Sequence, residues 1–177
     1  MLFSRVSQLM EGVMRIAFGV ANTLALFNGA QIEAFERGGF GKVPFFPKAI
    51  ETLMWAVRSH QVNLVFVTKP GREQLDADLL QEWLKYWLDG FAASLINVHV
   101  VDDDSKKAVL CQELEVNVVV DENAEVVQSV RDYGIVAIHY STWNCINHVS
   151  LQRLLEEMRM PPTEAVLIRR SAEAQGG

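Results

Sequence analysis

The chain lacks most of the features that would set it apart from an ordinary globular domain. It holds two cysteines, Cys111 and Cys145, among 177 residues. Two thiols cannot supply a disulfide framework for a domain this size, so free buried thiols in a reducing compartment, the cytoplasm, are expected. No apolar run approaches the ~20 residues of a membrane-spanning helix, and no membrane partner is expected. Residues 1–14 carry Arg5 and Glu11 and no long apolar stretch, which argues against a secretion signal. Basic charge is not in excess: the formal net charge is −6. Phosphate backbones are held mainly by Lys and Arg, so nucleic acid is not an expected partner. Internal repeats and low-complexity segments are missing too.

What is present is a core. Half of the residues are hydrophobic and 21% are charged, a balance suited to one folded domain. Along the chain, apolar runs alternate with helical periodicity. Residues 2–12 read either as a short amphipathic helix or as a frayed leader. Residues 15–20 read as a strand. Residues 25–47 mix five phenylalanines with glycines and prolines, and read as a packed surface loop with one or two helical turns over 30–37. Pro47 opens a helix with Ile50, Leu53, Met54 and Val57 on one face. A nearly continuous apolar strand covers 61–68, and such a strand belongs inside a parallel sheet. A helix over 75–89 follows, then a strand over 95–101. Asp102, Asp103 and Asp104 read as an acidic turn capping a helix at Asp104 or Ser105 rather than as a metal site. Lys106 and Lys107 open that helix, and a strand over 116–120 ends in Asp121-Glu122-Asn123. Asn123 caps a further helix that Gly134 terminates. A fifth strand covers 135–140, and a last helix ends near residue 158. Residues 161–177 read as a tail whose Val166-Leu167-Ile168 segment can dock onto a partner. Strands alternating with helices imply an α/β domain with a parallel sheet.

The stretch Gly19-Val20-Ala21-Asn22-Thr23-Leu24 after the first strand resembles motif I of the haloacid dehalogenase (HAD) superfamily, Asp-x-Asp-x-Thr-Leu. Thr68 after the second strand resembles motif II. Lys107 with Asp121-Glu122 resembles motifs III and IV run together. Trp143-Asn144 after the fifth strand is similar to an aromatic-Asn pair of small 5′-nucleotidase-like members. The resemblance spans residues 14–158. It implies a Rossmannoid three-layer sandwich with a five-stranded parallel sheet of order 3-2-1-4-5 and no large cap.

It also implies where chemistry would sit. The family's nucleophile position holds Gly19, and its acid/base position holds Ala21. Neither can attack phosphorus or move a proton. Thr68, Lys107 and Asn22 remain as a residual phosphate site. Asp121 and Glu122 remain as metal ligands without their opposing carboxylate. No cofactor is therefore expected, and Mg²⁺ only weakly held. The expected function is a HAD-fold pseudoenzyme that binds a protein partner or assembles with itself. The alternatives are a phosphatase with unusual catalytic residues and a non-hydrolysing sensor of a phosphorylated small molecule.

Overall fold

The second strand shows why the sheet is buried on both sides. In β2, Gln61–Val67, five consecutive residues from Val62 to Phe66 are buried. Only a strand covered on both faces does this. The computed structural model describes residues 13–140 and 148–159. The readings for residues 2–12, for Ser141 to Cys145 and for the tail after 160 lie outside the described residues. Four more strands join β2: β1 Arg15–Gly19, β3 Ile96–Val101, β4 Val118–Asp121 and β5 Val136–His139. All neighbours pair in parallel in the order β3-β2-β1-β4-β5, the order the resemblance implies.

Among the described residues, seven α-helices connect or flank these strands: α1 Gly29–Glu36, α2 Ala49–Val57, α3 Glu73–Trp87, α4 Gly90–Ser94, α5 Lys106–Glu113, α6 Ala124–Asp132 and α7 His148–Arg159. They divide between the two faces of the sheet. On one face, Ile16, Phe18, Leu64, Phe66 and Val120 pack with Leu53 of α2, Trp83 of α3 and Leu151 of α7. On the other, Ala17, Val65 and Val119 pack with Ala108 and Cys111 of α5 and with Val126, Val127 and Val130 of α6. Alternation along each strand thus sorts its residues between two cores. The result is an α/β three-layer sandwich.

The aromatic segment between β1 and α2 is tied down onto α3 and forms no separate cap. The Trp83 indole N–H donates to the Val43 carbonyl at 2.8 Å. Trp87 donates to the Phe40 carbonyl at 3.1 Å. Phe45 stacks on Trp83 with ring centroids 4.2 Å apart. Phe27, Phe35 and Phe45 are buried.

Three details differ from the sequence reading. Pro47 does not sit in the first turn of α2. Lys48 occupies its N-cap position at φ 68°, and the proline instead precedes this left-handed residue. The helix α4 was not expected, because five residues are too few to show a period. Its cap is Asp89, whose side chain accepts from the Ala92 N–H at 2.8 Å. Ser105 sits at the N-cap of α5, but its side chain makes no cap bond. Asp103 does the work, accepting from the Ser105 N–H at 2.7 Å. The caps at Asn123 and Gly134 are as read: Asn123 accepts from the Glu125 N–H at 2.9 Å, and Gly134 has φ +73°.

Trp83 is fully buried and holds the aromatic segment by both packing and a hydrogen bond. Trp83→Ala should cost about 3–5 kcal/mol, the usual scale for a buried aromatic, measured by urea unfolding. A loss under about 1 kcal/mol would show that other contacts hold the segment.

Candidate functional site

The edge of the sheet beyond β1 begins as a tight loop. The Val20 carbonyl accepts from the N–H groups of Thr23, Leu24 and Ala25 at 3.3, 3.0 and 3.4 Å. Asn22 takes the left-handed conformation at φ 59°, which asparagine tolerates better than most residues. Its side-chain oxygen accepts from the Phe27 N–H at 3.3 Å. The geometry therefore uses that oxygen inside the loop. Thr23 is buried, and its hydroxyl accepts from the Glu122 N–H at 3.1 Å. That bond joins the loop after β1 to the loop after β4.

Register decides what lies beside Gly19. Phe18 pairs with Val120, so the next residues, Gly19 and Asp121, are neighbours. Asp121 is 1% exposed. Its Oδ2 accepts from Lys107 Nζ at 2.9 Å, and its Oδ1 accepts from the Asn123 N–H at 2.9 Å. Lys107 Nζ also lies 2.9 Å from Asp104 Oδ1, and Asn123 Nδ2 reaches Asp104 Oδ2 at 3.3 Å. The neighbouring Lys106 pairs with Asp102.

The charges here act on one another at close range. Burial alone would lower the Lys107 pKa, but Asp121 and Asp104 outweigh it and hold the ammonium above the usual lysine value. Burial raises the Glu122 carboxyl, and the Asp121 charge adds to that. Burial, helped by Asp121, pushes the Cys111 thiol up to about 12. Two carboxylates, those of Asp104 and Asp121, thus hold one lysine, and that of Glu122 feels the charges of all three.

Gly19 has no room for a side chain. A Cβ built there would collide with Asp121 Oδ2, and would stand 3.0 Å from Asp121 Cγ and 3.1 Å from Thr23 Oγ1. The Mg²⁺ that the family resemblance implies does not suit these residues. Gly19 offers no side-chain ligand, and both oxygens of Asp121 already accept hydrogen bonds. Among the described residues, no group of three or more His, Cys, Asp or Glu is placed to hold a metal ion.

Thr68 goes elsewhere. Gly19 pairs with Val65, and Thr68 lies three residues further along the chain, an odd number, so it faces the opposite side of the sheet. Its N–H donates to the Val101 carbonyl at 2.8 Å. It lines a cavity of about 220 Å³ with Phe27, Phe35, Phe66 and Arg72, a cavity that Lys107 and Asp121 do not line. The structure therefore brings Lys107, Asp121 and Glu122 together with Gly19, and sets Thr68 apart. Sequence reasoning missed Asp104 and Asn123 as members of the polar cluster, and Thr23 as its tie to β1. The Asp104–Lys107 spacing of three on one helix start was the available signal.

No protein-family model matches the chain, and no curated protein matches it in sequence. Solved structures do resemble it. An uncharacterized protein from Listeria monocytogenes serotype 4b is 12% identical with a TM-score of 0.56, over 76% of this chain and 83% of that one. A haloacid dehalogenase-like family hydrolase from Streptococcus pneumoniae is 12% identical with a TM-score of 0.51, over 86% of this chain and 93% of that one. At such identities the likeness is one of fold: the chain has a HAD-like Rossmannoid fold.

Two predictions follow from the polar cluster. Gly19→Ala should destabilise the protein by about 1–3 kcal/mol, the scale of overpacking, although alanine is the better strand residue. A neutral or stabilising effect in urea unfolding would show that Asp121 gives way easily. The second concerns alkaline pH. Lys107 and Cys111 both have folded pKa values above their ordinary ones, so the folded state holds their protons more tightly. Their contribution is complete at neutral pH and is lost as pH rises from 9.0, the ordinary thiol value, towards about 12. The slope is up to ~1.4 kcal/mol per pH unit per proton. In Cys111→Ala the decline should begin later, nearer the lysine value of 10.5. An unchanged profile would mean that the thiol contributes nothing to it.

Proposed function

We propose that the protein is a catalytically inactive HAD-fold protein, a degenerate relative of the capless nucleotidase-like branch. It works by binding, as a regulatory or assembly subunit. One observation carries this reading: beside Gly19, where the family nucleophile's side chain would start, the space is taken by the Asp121 carboxylate bonded to Lys107. Ala21 likewise has nothing with which to move a proton. The chain can neither form an aspartyl-phosphate nor return a proton to a leaving group at these positions.

The same cluster speaks against a phosphate sensor centred on Lys107. Its ammonium is already balanced by two carboxylates, and a third stands close by, so an incoming dianion meets net negative charge. Thr68, on the other face, does not help it. A protein partner or a second copy of the chain is the better occupant of the surface over this edge, and no metal is needed there. The free, buried Cys111 supports a reducing, cytoplasmic setting.

With Mg²⁺ and p-nitrophenyl phosphate or nucleoside monophosphates, no turnover above the uncatalysed background is expected. Loss of a nucleophile and its partner typically removes several orders of magnitude in rate. Phosphate release that scales with protein and disappears in Asp121→Ala would overturn the proposal. The mass of the native complex recovered from its source should exceed that of one chain.

A further inference from the structure

The cavity of about 220 Å³ beside Thr68 has its own chemistry, independent of whether the Gly19 edge is catalytic. It lies where α1, the end of β2 and the start of α3 meet. Three of its walls are rings in mutual contact: Phe27–Phe35 at 5.4 Å, Phe27–Phe66 at 5.5 Å and Phe35–Phe66 at 5.8 Å between centroids. These tilted and edge-on arrangements are the ones aromatic rings favour, and a further ring can join them on the same terms. The volume is below the roughly 300–1,000 Å³ of pockets that take drug-sized ligands, so it suits a single or fused ring system.

One polar group in the wall is deeply placed. Asp76 is 4% exposed. Its bond to Arg72 is long, 3.5 Å, whereas Arg72 is held firmly by Glu36 at 2.6 Å. Arg72 is thus directed to Glu36, across from α3 to α1, and Asp76 keeps acceptor capacity. Burial raises the Asp76 carboxyl against the pull of Arg72, and the Glu36 and Glu73 charges add to the rise. A pure hydrocarbon would leave that acceptor capacity unused, whereas a ring with an N–H or O–H donor would use it.

We infer that this cleft binds a free small aromatic molecule, one ring or two fused rings, that carries an N–H or O–H donor: the ring lies against Phe27, Phe35 and Phe66 and the donor reaches the Asp76 carboxyl. Ile32, 43% exposed on α1, lines the same cavity and marks its open side.

Indole and 1-methylindole are the probes, because they differ in the N–H alone. Both are titrated into the whole protein by calorimetry, with amide chemical shifts followed by NMR. Indole should bind and perturb residues around Phe27, Phe66 and Thr68, and 1-methylindole should bind roughly tenfold or more weakly, the scale of one hydrogen bond to a charged group. Asp76→Ala should bring indole down to the 1-methylindole level. Ile32→Trp, at an exposed position that leaves the core intact, should block both probes. Affinities for the two probes within about twofold of each other, no binding of either, or undiminished binding in Ile32→Trp would each overturn the inference. A tryptophan in a short blocked peptide that binds about tenfold tighter than indole would overturn the free molecule as occupant and put a partner's side chain in its place.

Discussion

A buried ammonium is costly unless carboxylates surround it, and much of this molecule is arranged around that constraint. Lys107 is placed at the start of α5 and points under the end of the sheet. There it meets Asp121 on β4 and Asp104 in the turn before its own helix. The contact with Asp121 fixes α5 to β4. It also fixes the Asp121 side chain, whose other oxygen holds the Asn123 N–H at the head of α6. Thr23 then hooks the β1 loop to the residue after Asp121. Three loops from separate parts of the chain thus converge on one charge.

The parallel register gives the sheet edge two unlike sides. Facing α5 and α6, the edge ends in carboxylates and a lysine. Facing α1 and α3, it ends in phenylalanines, a threonine and a recessed aspartate. A shift of one residue in the pairing of β1 with β2 would exchange these sides. The polar side is closed by its own ion pairs, and the aromatic side has room left over.

The architecture was legible because its signals are local. The continuous apolar run of β2, the glycine after α6 and the asparagine before it each act within a few residues. The strand order came from the motif resemblance, since periodicity does not order strands. Lys107 and Asp121 were legible as a pair for the same reason. Asp104 was read only as part of a cap, because nothing in an Asp-Asp-Asp run tells which carboxylate turns inward. Thr68 was grouped with Lys107 because both end up at the same edge, and the face each occupies depends on register. Nothing in the sequence sets Asp76 apart from the other acids of its helix. Only the packing of α3 against α1 buries it.

The missing Cβ at residue 19 also shapes what mutation can do to this chain. Any side chain there must first move a carboxylate that a lysine and a backbone N–H hold from two directions. A nucleophilic aspartate at 19 would bring a further negative charge to a cluster already rich in them, while Ala21 still could not handle the proton. Gaining a carboxylate at 19 is therefore uphill in stability. The lysine acts as a ratchet: with it in place, neighbouring positions can drift while residue 19 stays confined to glycine.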